Sequence, residues 1–408
     1  MGLPIVALKD LCADFKKDIV DGPFGSNLKR SHFTEEGIPV LKIQNIKPFK
    51  IEKKKMDFVT LDKFSELERH SFRQGDIVMT KLGSPLGVSA IVDDIQEGLI
   101  VADLVRIRAS KIDTRYLCYH LNSPVTQKHI NSFQKGATRP RVKISVAREL
   151  PIYTPSESEQ KRIVQILDKA FADIDQARVN TEQNLQNARE LFDSYLQQVF
   201  SERGDGWEEL ALQNAVSDDC SLSYGVVQPG EEFDGGIPVV RPVDLKKKSV
   251  EKSGLKRMDP KLADSYQRTS LSGSELLLCV RGETGTVAVS DPSLFGANVT
   301  RGIVPIKFSE EKVSLDFAYF QFLSPLINRQ IKEKTYGTAL KQINIRDLRQ
   351  LSFFIPPIDK QYVIAEKLSE YQRAINKLES VYKSKLDALD ELKQSLLQQA
   401  FTGQLTQG

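Results

Sequence analysis

The sequence is poor in the residues that most often ligate metals or act in catalysis. Its 408 residues include four histidines, four cysteines and a single tryptophan. The cysteines form no Cys-x-x-Cys pair and have no histidine cluster beside them, a usage that fits a reducing compartment. We therefore expect neither a structural zinc site nor a disulfide framework, and no metal-binding residue is predicted.

A membrane span and a secretory signal are also missing. No apolar run in the sequence approaches the ~20 residues that a transmembrane helix needs. The first ten residues, Met1 to Asp10, have neither a basic segment nor a long apolar one. We expect a cytoplasmic protein.

Familiar catalytic motifs are absent as well. The chain has no Gly-x-Gly-x-x-Gly after a strand, no Walker loop, no His-Glu-x-x-His and no Gly-x-Ser-x-Gly. It also lacks the Asn/Asp-Pro-Pro-Tyr/Phe tetrapeptide of amino-methyltransferases. We predict that the protein is not an enzyme, has no catalytic residues and binds no cofactor of its own.

Charge is distributed unevenly along the chain. Residues 1–155 contain 25 Lys plus Arg against 18 Asp plus Glu, whereas residues 156–202 contain 5 against 9. A basic first segment is compatible with a polyanionic partner, and an acidic second segment with a protein partner.

The main feature that is present is a predicted helix from Ser158 to Phe200, which contains neither proline nor glycine. Apolar and small residues spaced by threes and fours predict an a/d seam at Ile163, Leu167, Ala170, Ile174, Ala177, Thr181, Ala188, Leu191 and Tyr195. The same spacing recurs 201 residues later at Ile364, Leu368, Tyr371, Ile375, Leu378, Tyr382, Leu389, Leu392 and Leu396. The chain is therefore predicted to be an internal repeat of a globular piece followed by a long helix.

The repeat predicts a fold of four segments. They are a first globular domain at residues 1–155, a spacer helix at 156–202, a second globular domain at 203–355 and a second spacer helix at 356–408. A long helix with a narrow apolar seam must bury it against a partner of similar length, so we expect the two helices to pack as an antiparallel coiled coil with pseudo-twofold symmetry. The alternative is two unrelated helices, each docked on its own domain.

Each globular piece is predicted to be a mixed α/β domain of the α+β class. Strand-like runs occupy residues 38–43, 76–80, 87–92 and 100–107, and helical spacing occurs at 62–70 and 114–122. The framework repeats in matched pairs, which are Gly37-Ile-Pro-Val with Gly236-Ile-Pro-Val, Gly83 with Gly282, Ser123-Pro124 with Ser324-Pro325, and Pro155 and Gln160 with Pro356 and Gln361. The residues between these pairs hardly match.

Loops in both copies are rich in side chains that hydrogen-bond base edges and phosphates. The candidate DNA-binding residues are Ser26, Asn27, Lys29, Lys42, Gln44, Lys81, Thr138, Arg139, Arg141, Lys143, Arg241, Arg281, Tyr336, Thr338, Lys341 and Gln342. Lys42 is predicted to match Arg241, and Lys81 to match Arg281 before the paired glycines. The alternative for each position is an ordinary solvated loop residue.

Three stretches, together with the repeat, resemble the DNA-specificity subunit of type I restriction–modification systems. They are Asp21-Gly-Pro-Phe-Gly-Ser-Asn-Leu-Lys, Gly75-Asp-Ile-Val-Met-Thr-Lys-Leu-Gly, and Pro155 leading through Glu159-Gln-Lys-Arg-Ile into the long helix. The resemblance covers essentially the whole chain. The second copy departs from it, with Ser223-Tyr-Gly-Val-Val near the position of Gly-Pro-Phe-Gly-Ser and Lys360-Gln361 in place of Glu-Gln.

The resemblance implies a non-catalytic subunit in which each globular piece is a target recognition domain. Each domain would read one half of a bipartite, asymmetric site in double-stranded DNA, and the helices would set the spacing and dock two methyltransferase subunits. A helicase-nuclease subunit would join them, and S-adenosylmethionine, ATP and magnesium would belong to these partners. On the residues alone, a two-headed scaffold for protein clients and a duplicated enzyme with an unfamiliar site remain alternatives.

Overall fold

The computed structural model describes residues 4–133, 140–338 and 340–405. The chain divides into two units, of which the first comprises Met1–Thr181 with Ser384–Gly408 and the second comprises Glu182–Lys383. The boundaries fall inside the two long helices, so each unit contains one globular piece and a part of both helices.

Short strands and helices make up the first globular piece. The strands are β1 Ile5–Ala7, β2 Ile19–Asp21, β3 Ile38–Leu41, β4 Ile46–Lys47, β5 Lys50–Ile51, β6 Asp57–Val59, β7 Ser71–Arg73, β8 Ile77–Thr80, β9 Ser89–Ile91, β10 Glu97–Ile100, β11 Leu104–Ile107 and β12 Pro151–Tyr153. The helices are α1 Phe15–Asp18, α2 Leu61–Glu66, α3 Thr114–Leu121, α4 Pro124–Ser132 and α5 Ile144–Arg148, followed by the long helix α6 Glu157–Ser201.

The second globular piece repeats this order with fewer strands. Its strands are β13 Glu208–Ala211, β14 Ile237–Val240, β15 Ser249–Val250, β16 Lys256–Met258, β17 Leu276–Cys279, β18 Val287–Ser290, β19 Asn298–Val299, β20 Ile303–Ile306 and β21 Ser352–Ile355. Its helices are α7 Pro260–Ala263, α8 Leu315–Leu323, α9 Pro325–Glu333 and α10 Ile345–Arg349, followed by the long helix α11 Ile358–Phe401.

The sheets of the two pieces correspond. The first piece has four-stranded sheets in the orders β6-β3-β10-β7 and β2-β11-β8-β9, and the second has sheets in the orders β16-β14-β19 and β15-β18-β17-β20. The parallel pair β3 with β10 in the first piece corresponds to β14 with β19 in the second, which has a further parallel pair, β15 with β18; the other pairs are antiparallel. The prediction of two similar mixed α/β domains is confirmed.

One predicted strand is wrong in detail. Residues 100–107 were expected to form a single strand, but β10 ends at Ile100 and β11 begins at Leu104. The Gly22 backbone lies against this break, where a Cβ on residue 22 would come within 2.2 Å of the Val101 carbonyl oxygen. The close approach needs glycine. The break itself is a turn, closed by the Leu104 N–H donating to the Val101 carbonyl at 3.0 Å, through which the chain passes from one four-stranded sheet to the other.

Helices α4 and α9 begin in the same way. Ser123 and Ser324 are their N-caps, and the two hydroxyls accept hydrogen bonds from the backbone N–H groups of Thr126 and Ile327. A proline follows each cap at the first helical position, where its missing N–H costs nothing. The matched Ser-Pro pairs thus mark equivalent helix starts.

A buried glutamine near the start of each long helix holds that helix to its own domain. The Gln160 side-chain oxygen accepts from the Asp113 N–H at 3.0 Å, and its amide nitrogen donates to the Pro155 carbonyl at 2.9 Å. Gln361 does the same with the Ser314 N–H at 2.9 Å and the Pro356 carbonyl at 2.9 Å. Each glutamine therefore ties its long helix to the N-terminus of α3 or α8.

The long helices run antiparallel within each unit. In the first unit, Ile163, Leu167 and Phe171 of α6 share an apolar cluster with Leu397 and other residues at the end of α11. The ion pairs Asp175–Lys393 and Arg178–Asp390 lie farther along, so residue numbers rise on α6 as they fall on α11.

The second unit has the same arrangement with the roles of the helices exchanged. Leu196 and Phe200 of α6 belong to one apolar core with Ala365 and Leu368 of α11. Arg189 and Glu379 form an ion pair at 3.0 Å between the same two helices. Each helix therefore buries its apolar stripe against both a domain and the other helix.

Three predicted seam positions are wrong. Leu191, Leu378 and Leu392 are 53%, 43% and 46% exposed. Phe192 is packed in place of Leu191 and stacks on Tyr371 with ring centroids 6.4 Å apart. The buried stripe follows the 3.6-residue repeat of a helix rather than the 3.5-residue heptad, so it drifts away from a strict a/d pattern over eight turns.

Among the described residues, the structure contains no helix that is both long enough and apolar enough to span a bilayer.

Candidate nucleic-acid interface

Two segments distant in sequence pair to form the candidate interface of the first domain. The Val142 N–H donates to the Lys81 carbonyl at 3.0 Å, and the Gly83 N–H donates to the Pro140 carbonyl at 2.9 Å. Leu82 and Arg141 form an antiparallel bridge between these bonds. The loop after β8 is thereby fixed beside the segment that leads into α5.

The second domain builds the same pairing from different side chains. The Ile343 N–H donates to the Val280 carbonyl at 3.1 Å, and the Gly282 N–H donates to the Lys341 carbonyl at 2.8 Å. Arg281 and Gln342 form the bridge. Because the main-chain geometry is repeated, the difference between the two interfaces lies in the side chains that they present.

The predicted match of Lys81 with Arg281 is wrong by one residue. Gly83 and Gly282 occupy the same place, with φ of +101° and +88°. Counting back from these glycines and from the shared hydrogen bonds, Lys81 corresponds to Val280. Because successive side chains of an extended segment point to opposite sides, Lys81 and Arg281 point to different faces of the loop.

The predicted match of Lys42 with Arg241 is confirmed by a shared turn. The Lys42 N–H donates to the Asn45 side-chain oxygen at 3.0 Å, and the Arg241 N–H donates to the Asp244 carboxylate at 2.8 Å. Gln44 lies exposed in the first of these turns, and its amide donates to the Lys55 carbonyl at 3.1 Å.

Three of the candidate cations already have an anion within their own domain. Lys81 pairs with Asp21 at 2.6 Å, and Lys42 pairs with Asp57. The Arg241 guanidinium forms two hydrogen bonds with the Asp244 carboxylate, at 3.1 and 3.0 Å, and this contact raises the pKa of Arg241. Their charges are largely compensated inside the protein.

Five other candidate cations have no ion-pair partner in the described part of the chain: Lys29, Arg141, Lys143, Arg281 and Lys341. Four of them are exposed, and Arg281 is half-buried with an unpaired Nε. Unpaired cations at a loop surface are the groups best able to neutralise phosphates. This set is a sharper candidate site than the sequence could define.

A hairpin presents the remaining candidates of the second domain. Tyr336 and Gln342 exchange two backbone hydrogen bonds of 2.9 Å, and the Gln342 amide donates to the Tyr336 hydroxyl at 3.0 Å. Gly337, with φ of +100°, makes the turn, since a Cβ there would come within 2.4 Å of the Leu340 carbonyl oxygen. Thr338 and Lys341 are exposed at its tip.

The other predicted positions of the first domain lie on the loop after β2. Ser26 and Asn27 are exposed in a single 3-10 turn, and Lys29 is exposed just beyond it. Thr138 and Arg139 lie outside the described residues.

Sequence reasoning missed several residues beside these loops. In the first domain, Asp21, Phe24 and Phe133 line a cleft of about 760 Å³ together with Lys81 and Arg141. Phe24 lies within a stretch quoted for its family resemblance, so an aromatic residue beside two glycines in a loop was a signal that could have been used.

In the second domain, Tyr224 occupies the place of Asp21. Gly225 follows it and crosses the Val299 backbone, much as Gly22 crosses Val101. The Tyr224 hydroxyl donates to the Ile343 carbonyl at 3.3 Å, and burial raises its pKa. Lys332 lines a separate cleft with Lys341.

No cluster of His, Cys, Asp and Glu side chains suited to a metal ion occurs among residues 4–133, 140–338 and 340–405.

Comparison with known proteins divides the chain into the same two repeats. The chain matches the family described as the type I restriction modification DNA specificity domain twice, at residues 34–185 and 229–387. These two matches confirm the internal repeat.

Among curated relatives, the chain is 22% identical over 324 residues to the type I restriction enzyme EcoBI specificity subunit of Escherichia coli, covering 74% of this chain and 68% of the relative. It is also 22% identical over 396 residues to the StySPI specificity subunit of Salmonella potsdam, covering 92% and 84%.

Solved structures share the fold. A chain from a type I R-M system, solved to explain complex assembly and conformational transition, has a TM-score of 0.76 at 17% identity, covering 99% of this chain and 100% of that one. The HsdS subunit from Thermoanaerobacter tengcongensis has a TM-score of 0.57 at 16% identity, covering 99% and 97%.

Proposed function

Because the chain belongs to the type I restriction–modification DNA specificity family and is a non-catalytic specificity subunit, we propose that each of its globular domains reads one half of a bipartite, asymmetric DNA site. In this proposal, residues 1–155 and 203–355 are the two target recognition domains. Residues 156–202 and 356–408 are the spacer helices between them.

The observation that supports the proposal most directly is the repeated loop pairing with different side chains. Lys81 and Val142 are joined by the same hydrogen bond as Val280 and Ile343. A common main-chain scaffold that presents unlike groups suits the reading of two unlike sequences, because base edges are distinguished by the donors and acceptors that face them.

Phosphate contacts are assigned to the unpaired cations. Arg141 and Lys143 in the first domain, and Arg281 and Lys341 in the second, project from the paired loops without an anionic partner among the described residues. Such cations position a protein on the duplex and supply the salt-dependent part of its affinity. The same loops then bring Gln342 and Tyr336 to the base edges.

Partner subunits would complete the activity. We assign the docking of two methyltransferase subunits to the long helices, and a helicase-nuclease subunit would join that complex. S-adenosylmethionine, ATP and magnesium would be bound by these partners, and the chain itself would bind none of them. The acidic balance of residues 156–202 supports a protein partner on α6.

Methylation of a random DNA pool tests the proposal. The chain is co-purified with methyltransferase subunits from the same host, and the methylated sequences are determined. We expect one asymmetric motif made of two short blocks separated by a spacer of fixed length. Methylation without a motif, or a single continuous block, would contradict the bipartite assignment.

A further inference from the structure

The cleft beside the paired loops of the first domain has apolar walls. Phe24 and Phe133 are 63% and 49% exposed, unusual values for phenylalanine, and both face this opening of about 760 Å³. Leu82, Val142 and Ile144 add apolar side chains to the lining. Exposed aromatic side chains grouped around a concave surface mark a binding site for an apolar group.

The charged pair in the cleft wall is internally satisfied. Lys81 and Asp21 lie 2.6 Å apart, with side chains only 12% and 16% exposed. The Lys81 ammonium also lies 4.8 Å from the centre of the Phe24 ring. Because each charge has its partner, this pair shapes the wall and leaves the apolar side chains, together with the Asp103 carboxylate, to contact an occupant.

The rim of the cleft has the opposite character. Arg141 and Lys143 are exposed there and have no ion-pair partner in the described part of the chain. An occupant that matches both regions has a small apolar group held next to an anionic backbone. The 5-methyl group of thymine in the major groove fits this description, since apolar side chains read it directly and cations hold the adjacent phosphates.

We propose that this cleft of the first domain is a thymine-methyl subsite, in which Phe24 and Phe133 contact the 5-methyl group of a T·A pair. The assignment rests on the proposed function and adds one base to it. Asp103, a further residue of the lining, is an acceptor that matches the exocyclic amino group of the paired adenine.

The second domain has different groups at the corresponding positions. Tyr224 takes the place of Asp21, and Val227 takes the place of Phe24 in the segment that follows Gly225. Arg281 stands where the first domain has Leu82. Methyl recognition by this mechanism is therefore assigned to one half-site only, which gives the experiment an internal control.

The test replaces thymine by deoxyuridine, which removes only the methyl group. The target is first identified from the random pool, and its halves are assigned by exchanging residues 1–155 for those of another family member. Binding of the full chain with its methyltransferase subunits is then measured on duplexes with one deoxyuridine at each thymine position in turn.

We expect one position in the half-site of the first domain to lose about fourfold in affinity, the equivalent of burying one methyl-sized group. Phe24→Ala and Phe133→Ala should bring the affinity ratio of thymine to deoxyuridine DNA close to one at that position. Phe295→Ala, which removes a 77% exposed phenylalanine of the second domain, should leave the ratio at about four. The three replaced side chains are all exposed, so folding is preserved.

Three results would overturn the subsite. They are a first half-site made only of G·C pairs, equal binding of every deoxyuridine duplex, and a loss of affinity that Phe24→Ala and Phe133→Ala leave unchanged. Each of these three results can be observed only if the random pool has first given a recognition motif. If the pool gives no motif at all, the proposed function itself fails, and the two failures are thereby distinguished.

Discussion

The candidate cations of this protein fall into two groups: those that form an ion pair with an anion of the same domain, and those that do not. Lys81 donates to Asp21 and Arg241 to Asp244, whereas Arg141 and Lys341 have no such partner among the described residues. A held cation must break its ion pair before it can bind a phosphate, so its contribution to DNA affinity is smaller.

Substitution of the unpaired cations should change the salt dependence of DNA binding. Arg141→Ala and Lys341→Ala should each weaken binding and lower the slope of log affinity against log salt by about 0.9, the value for one lost phosphate contact. The control is Lys261→Ala, an exposed lysine near the start of α7. Unaltered slopes for the first two variants would place these side chains away from DNA.

His120 should make the stability of the first unit depend on pH. Its ring lies within hydrogen-bond distance of the Thr126 hydroxyl at 2.9 Å, accepts from the Tyr153 N–H at 3.0 Å and packs on Phe401. Burial lowers the pKa of His120 from 6.5 to about 3. The folded chain therefore keeps the ring neutral where the unfolded chain protonates it.

The sign follows from this depressed pKa. Stability contributed by neutral His120 is fully present above about pH 6.5 and is lost as the pH falls toward 3, by ~1.4 kcal/mol per unit, or about 2 kcal/mol at pH 5. Urea unfolding between pH 5 and 8 measures it. His120→Gln, which introduces the residue found at Gln321 in the second domain, should flatten the profile. An equally steep loss in that variant would assign the pH dependence to other groups.

For single residues, the sequence predicted which types of side chain the loops carry better than it predicted which of their charges are paired. Arg141, Lys143 and Lys341 were predicted as loop residues, and all three are exposed on the paired loops. The sequence could not reveal that Asp21, sixty positions earlier, neutralises Lys81, since that contact depends on the pairing of β2 and β8 through β11.

At the level of elements, the two buried glutamines define how each long helix leaves its domain. Gln361 is completely buried and satisfies the Ser314 N–H and the carbonyls of Lys312 and Pro356. A side chain that closes three hydrogen bonds fixes both the position and the direction of the helix start.

Gln361→Leu should destabilise the second unit by about 1–3 kcal/mol, because a similar volume is kept while buried polar groups lose their partner. Gln160→Leu should act in the same way in the first unit. Gln183→Leu, on the exposed surface of α6, is the matched control. Chemical unfolding gives the free energies, and a Gln361→Leu variant as stable as the control would show that water replaces the lost bonds.

The long helices were predictable because a repeat of 201 residues preserved both their length and their phase. Their packed face was less predictable. Among the predicted seam positions, polar Thr181 is buried and donates to the Ala177 carbonyl at 2.7 Å, while apolar Leu191 is exposed. A spacing pattern distinguishes 3.5 from 3.6 residues per turn only over many turns, and the two seams interrupt it with small and polar residues.

For the whole molecule, the proposal that each domain reads one half-site predicts that half-sites can be exchanged. Replacing residues 1–155 with the equivalent domain of another family member should alter one block of the methylated sequence and leave the other unchanged. The motif recovered from a random DNA pool measures this. A change in both blocks, or loss of the retained one, would argue against independent reading.

Helix length should set the distance between the two blocks. Four residues inserted after Asn184, an exposed position of α6, add ~6 Å and about 40° of rotation. B-DNA rises ~3.4 Å and turns ~35° per base pair, so the spacer should grow by about one to two base pairs. The methylated motif before and after insertion is compared, and retained activity with an unchanged spacer would exclude the helices as the ruler.

The first unit combines segments that are far apart in the sequence, so the ribosome makes its parts at different times. That unit needs residues of α11, since the ring centroids of Phe401 and Tyr116 lie 5.3 Å apart and Leu397 belongs to the same apolar cluster. A ribosome makes the first globular piece long before it makes these side chains of α11, which follow the second globular piece in the sequence. The first globular piece is therefore synthesised before the second but completes its core after it, and until then the apolar surface around Tyr116 lacks its α11 partners in the nascent chain.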